Sequence, residues 1–363
     1  MKYIMRFFTA VAILAFVVVA SIVLSDWTEP VTTKLASQIT NFVLYGNYKE
    51  HILDSNGVPK VRYRRVKGML FYNPVYVAVY GLYYYDKWLD NGENEYFLKY
   101  YNIYPPNVSK PEEWLKYFIN TADWLAASQK VYTFNNDIVY GVYEYNFPWE
   151  VYNLRPPWRS AMAQSLSAQV LLRAWLLTGN EKYRKAMDLA LNALYVPVSS
   201  GGVTIMSTDD SWWYEEYAST AAIESRVLNG MEHVLIALFE AASITSNPNL
   251  WMLFKNGNNS LEKIINKYSA NNISWTFYDA VGRLANYKYH MINIALTKKL
   301  LSITGNNTYK IYAVWEEMRS PYFVREFIYQ RPGPIDIATW LLNVLIVLAV
   351  ITIISVFYKI GRR

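Results

Sequence analysis

The chain has 363 residues, of which 53% are hydrophobic and 17% aromatic, so it can bury one large core or two ordinary ones. It contains no cysteine, which excludes disulfides, thiol catalysis and cysteine-bound zinc. The formal net charge is +6, but neither a long run of Lys and Arg nor a nucleic-acid-binding motif accompanies it, so we expect no nucleic-acid partner.

The first predicted element is an apolar helix near the N-terminus. Phe7 to Leu24 is an uncharged run preceded by Lys2 and Arg6, and it is long enough for a membrane span of about 20 residues. A signal peptide shares this pattern, but no clear small-x-small cleavage site follows. Residues 1–28 are therefore predicted to form an uncleaved transmembrane anchor, with a signal peptide as the alternative.

Residues 30–150 are predicted to hold a small β-element and the first helices of a helical domain. The β-element falls at 60–72, and helices are expected near 75–90 and 112–129. Tyr132 to Tyr145 predicts a hairpin, because β-branched and aromatic residues flank an Asn-Asn-Asp turn.

Residues 151–330 are predicted to be helical, with helices near 158–177, 182–194, 222–245, 284–303 and 308–318. A weak repeat connects helix ends, since Gly92, Gly179 and Gly305 are each followed four residues later by a tyrosine. A glycine that ends one helix before an inward-facing tyrosine in the next predicts stacked helical hairpins. The expected fold class is mainly α, an (α/α) toroid or barrel-like domain with a small β-hairpin element, flanked by N- and C-terminal transmembrane helices.

The last element is a second apolar segment, at 335–358, followed by Lys359, Arg362 and Arg363. The positive-inside rule then predicts a cell-membrane protein with both termini in the cytoplasm and the intervening domain outside. Four N-x-S/T sequons agree with an exported, glycosylated domain. They are Asn107, Asn258, Asn272 and Asn306.

The stretch Trp213-Tyr-Glu-Glu-Tyr217 carries the most chemical information. Apolar ring faces desolvate a carboxylate and raise its pKa, which makes it a usable acid or base near neutral pH. Aromatic rings beside carboxylates are also typical of sugar sites. A second cluster, Tyr278-Asp279 and Tyr287 to His290, follows about sixty residues later, and together the clusters indicate carbohydrate chemistry.

Five segments, in order and with similar spacing, resemble the C-terminal catalytic domain of the D-glucuronyl C5-epimerase family. They are Pro157-Trp-Arg-Ser-Ala-Met-Ala-Gln164, Trp213-Tyr-Glu-Glu-Tyr217, Val227-Leu-Asn-Gly230, Tyr278-Asp279 and Tyr289-His290. The resemblance covers roughly residues 70–320. Where the family has Trp-Asp before the Tyr-His pair, this chain has Tyr287 and Lys288.

The resemblance implies inversion of C5 in a glucuronate residue of a polysaccharide, giving iduronate. Glu216 and Tyr289 are implied as the two proton-transfer groups, with Tyr217 and Tyr278 as further catalytic residues. The implied substrate-binding residues are Trp158, Gln164, Trp213, Tyr214, Arg283 and His290. Because an ordinary tyrosine is a poor base, Lys288 or His290 is expected to lower the pKa of a catalytic tyrosine. Glu215 is expected to be structural.

Other functions stay open at this point. A polysaccharide lyase or a glycoside hydrolase on the same helical scaffold also needs a tuned carboxylate, and a non-catalytic glycan-binding protein would keep only the groove. We expect an anionic polysaccharide as partner, the membrane through two helices, no organic cofactor and no transition metal. A calcium site and a homodimer are left open, because neither has a clear sequence signature.

Overall fold

The computed structural model describes residues 2–90 and 100–361 and divides into two compact units. The first unit comprises the chain up to Glu50, residues 272–274 and the chain from Met318 onward. The second comprises residues 51–271 and 275–317.

The first unit is built on two long helices, α1 (Lys2–Tyr45) and α10 (Pro334–Ile360), which pack against each other. The hydroxyl of Thr28 donates to Asn343 Oδ1 at 2.6 Å. Both helices are long and apolar enough, by length and composition, to cross a membrane. Helix α1 runs well past the predicted anchor at 1–28, and Glu29 on it pairs with Arg325 of a π-helix at Val324–Tyr329.

The second unit is mainly helical. Its described helices are α2 (Pro74–Leu89), α3 (Pro111–Ser128), α4 (Ala161–Thr178), α5 (Glu181–Asn192), α6 (Leu228–Thr245), α7 (Pro248–Ile264), α8 (Tyr287–Thr304) and α9 (Ile311–Glu317). Helices α2, α4, α6 and α8 form an inner row in which each contacts the next, and each of α3, α5, α7 and α9 packs on the inner helix before it. The predicted mainly α fold of stacked helical hairpins is confirmed.

Burial explains the two layers. Inner helix α4 buries every residue from Ala161 to Ala174 except Gln169, whereas outer helix α5 buries one stripe that includes Tyr183 and Met187. The stripe recurs at the helical period, as the sequence predicted. Helix α4 is therefore buried on nearly all sides along its first fourteen residues, whereas α5 keeps a polar face in solvent.

Two glycines end inner helices as predicted. Gly179 and Gly305 follow α4 and α8 with φ of 66° each, a left-handed conformation that glycine adopts without strain. The tyrosines four residues later, Tyr183 and Tyr309, are buried. The third pair of this repeat, Gly92 and Tyr96, lies outside the described residues.

Short antiparallel strands connect the helices. They are β1 (His51–Leu53), β2 (Pro59–Tyr63), β3 (Met69–Tyr72), β4 (Lys130–Phe134), β5 (Ile138–Val142), β6 (Thr204–Met206), β7 (Trp212–Tyr214), β8 (Ser269–Ala270) and β9 (Trp275–Thr276). Strands β1 to β3 form one sheet, and β4–β5, β6–β7 and β8–β9 pair separately. The predicted hairpin is β4–β5, in which Asn135 and Asn136 turn the chain with positive φ.

Candidate active site

The site is built on the segment that follows strand β7. The backbone N–H of Ala161 donates to the carbonyl of Glu215 at 2.8 Å, and Ala218 and Arg159 exchange two backbone hydrogen bonds. The segment is thus held in an extended form beside the start of α4. Successive side chains of extended backbone point in opposite directions, so Glu215 and Glu216 face different surroundings.

Glu215 is engaged in structural hydrogen bonds. Its carboxylate accepts from the Ser225 hydroxyl at 2.8 Å and from the backbone N–H of Arg226 at 2.9 Å. Burial raises the pKa of Glu215 to about 7, while these two donors act in the opposite direction. The carboxylate therefore fixes the loop that leads into α6, in agreement with the structural role expected for it.

Glu216 faces the interior of the site. Tyr278 donates to its Oε1 at 3.4 Å, and its Oε2 is buried without a hydrogen-bond partner among residues 2–90 and 100–361. Burial raises the pKa of Glu216 to about 7; Tyr217, Tyr278 and Lys288 oppose the rise, and Glu215 adds to it. The aromatic composition of this stretch predicted such a rise. A carboxylate with this pKa exchanges protons readily at neutral pH.

Gly230 near the start of α6 makes room for that carboxylate. A Cβ at this position would lie 2.7 Å from Glu216 Oε2 and 2.9 Å from Glu216 Cβ, closer than side chains approach. The glycine of the Val-Leu-Asn-Gly segment therefore permits the close packing of Glu216 on helix α6.

Three tyrosines surround Glu216. The hydroxyls of Tyr217 and Tyr278 lie 3.3 Å apart, and the rings of Tyr278 and Tyr289 have their centroids 4.7 Å apart. Burial and the Glu216 charge raise the pKa of Tyr217 and Tyr278 well above the ordinary value. Burial also raises the pKa of Tyr289, to about 12, although the positive charge of Lys288 acts to lower it. All three hydroxyls are accordingly proton donors at neutral pH.

Lys288 is the cation at this cluster. Its ammonium lies 3.5 Å from the Tyr76 hydroxyl, 4.8 Å from the Tyr101 ring centroid and 5.0 Å from that of Tyr289. Its charge favours ionisation of both Glu216 and Tyr289. Cation–π contacts with the Tyr101 and Tyr289 rings hold the ammonium at this position.

The structure brings together the four residues expected to be catalytic, but it separates the expected substrate-binding residues. Trp158 is buried, stacks on Tyr145 at 3.9 Å and reaches the Tyr217 ring at 5.7 Å, so it forms the wall behind the cluster. Gln164 is fully buried in α4; with its amide suitably oriented, it bonds Gly141 and Tyr143 of the hairpin at 3.1 Å each. Gln164 therefore ties α4 to β5.

Trp213 and Tyr214 lie in the core. Both are essentially unexposed, and the Tyr214 hydroxyl donates to the carbonyl of Leu253 at 2.7 Å. Neither side chain therefore offers a surface to a ligand.

Arg283 and His290 are occupied by protein groups. The guanidinium of Arg283 donates to the carbonyl of Val151 and lies 4.2 Å from the Tyr152 ring centroid. The His290 ring stacks on Trp275 at 3.7 Å and bonds the Thr276 hydroxyl at 2.8 Å. Both side chains are thus engaged by protein groups, whereas the Lys288 ammonium lies beside the Tyr289 ring.

Two further residues support the cluster: Asp279, which the sequence analysis named without a role, and Tyr152, which it did not name. The Asp279 carboxylate, which is fully buried, accepts from the Tyr152 hydroxyl at 2.6 Å and from the backbone N–H of Arg283 at 3.0 Å. The ring of Tyr152 in turn lies 4.7 Å from that of Tyr217. The Tyr-Asp segment signals Asp279, whereas nothing local signals Tyr152, because the contact spans 127 residues.

Within the described ranges 2–90 and 100–361, no group of three or more His, Asp or Glu is arranged to hold a metal ion. The fold and the site define a mainly helical protein in which a buried carboxylate of raised pKa, three tyrosines and a lysine form one cluster. The family model of the D-glucuronyl C5-epimerase C-terminus matches residues 136–317, about half of the chain, and this range contains the whole Glu216 cluster. The chain belongs to this family.

Two relatives extend the comparison. An uncharacterized protein of Methanocaldococcus jannaschii is 31% identical over 228 residues, which are 61% of this chain and 73% of that protein. The D-glucuronyl C5-epimerase of Caenorhabditis elegans is 33% identical over 169 residues, which are 41% of this chain but only 27% of the worm enzyme. The chain therefore spans about a quarter of that enzyme.

Solved structures give weaker likenesses. A GH76 α-mannanase of Bacteroides thetaiotaomicron superposes with a TM-score of 0.45 at 8% identity, covering 91% of this chain and 86% of that one. The unsaturated glucuronyl hydrolase of Bacillus sp. GL1 superposes with a TM-score of 0.38 at 14% identity, covering 88% and 96%. We draw no functional conclusion from likenesses at this level.

Proposed function

We propose that this protein is a polysaccharide C5-epimerase that converts D-glucuronate to L-iduronate within a polymer and needs no organic cofactor. The observation that carries the proposal is the Glu216 carboxylate, buried beside Tyr278 with its pKa raised to about 7. The family of the chain and the name of its C. elegans relative support the same type of reaction.

Glu216 is proposed to take the C5 proton. This hydrogen lies α to the sugar carboxylate and is weakly acidic, so its removal needs a positioned base and groups that stabilise the charge developing on the carboxylate oxygens. With a pKa of about 7, ionised Glu216 is a stronger base than an ordinary carboxylate and is still substantially ionised at neutral pH. Its Oε1 accepts from the Tyr278 hydroxyl, and its Oε2 has no hydrogen-bond partner among the described residues.

Tyr289 is proposed to return a proton from the opposite ring face. The C5–H bond breaks toward Glu216, the electron pair spreads into the substrate carboxylate, and C5 then takes the hydroxyl proton of Tyr289. Lys288, 5.0 Å from the Tyr289 ring centroid, stabilises the resulting tyrosinate. Water restores the proton to Tyr289 and accepts the one held by Glu216, and the reverse reaction exchanges the two roles.

Lys288 is also proposed to bind the substrate carboxylate. It sits beside both proton-transfer groups, and an ammonium there stabilises the negative charge that the carboxylate gains after C5 loses its proton. Tyr278 and Tyr217 supply neutral hydroxyl donors on the Glu216 side, because their pKa values lie well above the ordinary value.

The alternative of glycoside hydrolysis has less support. Hydrolysis by paired carboxylates needs a second carboxyl group across the scissile bond. Glu215 is bonded to Ser225 and Arg226, and Asp279 is bonded to Tyr152 and to backbone N–H groups, so both are structural. A lyase shares the first proton transfer and differs only in expelling the 4-O substituent.

We further propose that α1 and α10 anchor the protein in the cell membrane, with both termini in the cytoplasm and the Glu216 cluster outside. The support is the pair of apolar helices and the basic residues at both chain ends. Protease added to intact cells should cleave within residues 51–317 and spare tags fused to both termini. Cleavage of the tags would contradict this orientation.

A reaction in heavy water tests the proposed function. The full-length chain in detergent is incubated with a glucuronate polymer, and C5 is followed by NMR. Deuterium at C5 of iduronate in a chain of unchanged length is the expected result. A new 4,5-unsaturated end would assign a lyase, shorter saturated chains a hydrolase, and no exchange with any uronate polymer would rule out epimerisation.

A further inference from the structure

The structure divides the four N-x-S/T sequons of the chain into two pairs. Each sequon is a possible acceptor for an N-linked glycan, which is attached through the side-chain nitrogen Nδ2 of its asparagine. Asn107 and Asn272 are exposed, whereas Asn258 and Asn306 are half-buried. Exposure therefore distinguishes sites that the sequence motif alone treats as equal.

Hydrogen bonds within the fold occupy the half-buried pair. Nδ2 of Asn258, in α7, and Nδ2 of Asn306, just after α8, both donate to Oε1 of Glu262. Oδ1 of Asn258 accepts from the hydroxyl of Tyr309 at 2.6 Å. Oδ1 of Asn306 accepts from the backbone N–H of Thr308 at 2.9 Å. A glycan on either nitrogen would displace these packed groups, so the folded chain does not offer the two sites to a modifying enzyme.

The hydroxyl residue of each sequon follows the same division. Ser109 and Ser274, which complete the exposed sequons, are themselves exposed. Ser260 is buried in α7, and Thr308 is half-buried. Because the hydroxyl residue is part of the motif, its burial makes the same pair of sites less accessible.

The backbone around the exposed pair also leaves it accessible. Asn107 lies in coil before helix α3, and Asn272 lies in a single 3-10 turn at Asn271–Ile273. Neither asparagine side chain forms a hydrogen bond with residues 2–90 and 100–361. Nδ2 of both residues is therefore open to modification without the loss of a contact in this part of the chain.

We propose that Asn107 and Asn272 carry N-linked glycans, whereas the pair bonded to Glu262 stays unmodified. The inference rests on the proposed orientation, with the region between the two long helices outside the cell, and is independent of the proposed epimerisation. In the transfer, Nδ2 forms a bond to C1 of a sugar linked to a lipid phosphate. The bond from C1 to the phosphate oxygen breaks, the lipid phosphate leaves with the electron pair, and a base of the transferring enzyme takes the amide proton.

Peptide mass spectrometry of the full-length chain, purified from the membranes of its own host, tests this division. We expect glycosylated peptides for Asn107 and Asn272, and only unmodified peptides for Asn258 and Asn306. On a denaturing gel, Asn107→Gln and Asn272→Gln should each move faster than wild type. A glycan on either of the two half-buried asparagines, or an unmodified side chain at either exposed one, would overturn the proposal.

A new sequon in an exposed turn provides the matched control. Asp137→Ser creates the motif at Asn135, in the turn of the β4–β5 hairpin. A glycan at Asn135 together with unmodified Asn107 and Asn272 would refute the choice of sites. With no glycan at any of the three, the premise that the domain meets a glycan-transferring enzyme fails, and the proposal fails with it. Exchange at C5 tests the epimerisation separately in either case.

Thermal melting of enzymatically deglycosylated protein separates the two pairs by their role in the fold. Asn258→Gln moves an amide away from Glu262 and Tyr309 and should lower the melting temperature by about 2 °C or more. Asn107→Gln, at an exposed position, should lower it less. Equal losses in the two variants would contradict the division of the sequons.

Discussion

Replacing Glu216 by glutamine should stabilise the fold at alkaline pH while removing the proposed activity. Burial raises the pKa of this carboxyl from 4.5 to about 7. At 1.36 kcal/mol per pKa unit, a difference of about 2.5 corresponds to about 3 kcal/mol. Because the folded pKa lies above the unfolded one, the folded state binds this proton more tightly, and the free energy of unfolding falls as the pH rises from about 4.5 to 7. The glutamine variant avoids that loss.

Thermal melting of the full-length chain in detergent, followed by tryptophan fluorescence, measures this effect. At pH 5 the variant and wild type should melt within about 2 °C of each other, and at pH 8 the variant should melt about 5 °C or more above wild type. Glu224→Gln removes an exposed carboxylate that pairs with Arg226, and it should change the melting temperature little at either pH. A Glu216→Gln variant that gains no stability between pH 5 and pH 8 would refute the buried, tuned carboxylate.

The same ionisation governs the rate. Since the proposed base acts in its ionised form, kcat/KM for C5 exchange by wild type should rise with pH through about 7. A profile that is flat between pH 5.5 and 8.5 would remove Glu216 as the base.

The remaining predictions concern groups around Glu216. Gly230→Ala places a Cβ 2.7 Å from Glu216 Oε2, so it should shift the carboxylate and reduce kcat for exchange by about 100-fold. Lys288→Met removes the cation proposed to bind the substrate carboxylate and should lower kcat/KM by about 10- to 100-fold, the equivalent of one charge-assisted hydrogen bond, whereas Lys288→Arg should retain more activity. Tyr289→Phe removes the proposed second proton-transfer group and should reduce exchange at least 100-fold. Each rate is measured as deuterium incorporated at C5.

Matched variants separate these effects from unfolding. Gly257→Ala is also a glycine change inside a helix, but its Cβ would meet the Tyr214 ring at 2.6 Å in the core. It should lower the melting temperature while the activity per folded molecule changes less than in Gly230→Ala. Equal activity losses in the two variants would contradict a specific role for Gly230.

Much of the helical domain could be predicted from the sequence because its signals are local. The stripe of Tyr183 and Met187, the glycines that end α4 and α8, and the Asn-Asn turn of the hairpin each act within a few residues. The structure therefore has α5 at Glu181–Asn192 and the hairpin at 130–142, close to the predicted ranges.

Helix α7 was missed because its sequence is unfavourable for a helix. The run Asn256-Gly-Asn-Asn259 is typical of a turn, yet the structure keeps it helical. Gly257 lets α7 approach the Tyr214 ring, and Asn258 accepts a hydrogen bond from Tyr309 at 2.6 Å. Tertiary packing thus stabilises a helix that local preference disfavours.

The start of α6 was predicted at 222 and lies at Leu228 for a related reason. Ser225 and Arg226 bond the buried Glu215 carboxylate, and Arg226 adopts a positive φ of 46° that a helix does not allow. The residues that bind Glu215 are thereby kept out of the helix, which no periodicity in the sequence indicates.

The sequence predicted the part of the site that a single segment supplies. It did not predict the contacts between segments that are far apart in the chain. The Trp-Tyr-Glu-Glu-Tyr stretch predicted a desolvated carboxylate, and Glu216 has the raised pKa. Its neighbours Trp213 and Tyr214 are both buried in the core, a placement that the aromatic composition of the segment does not distinguish from a sugar-facing one. The sequence named both Lys288 and His290 as possible neighbours of a catalytic tyrosine, and packing distinguishes them. His290 stacks on Trp275, whereas Lys288 contacts Tyr76 and Tyr101 beside the cluster.

The most direct test of the central claim is the distribution of deuterium early in a reaction in heavy water. Proton transfer by two groups on opposite ring faces predicts that newly formed iduronate carries deuterium at C5 while the remaining glucuronate still carries protium. Deuterium that accumulates in glucuronate without any iduronate, or iduronate that forms with protium at C5, would contradict the two-faced site of Glu216 and Tyr289.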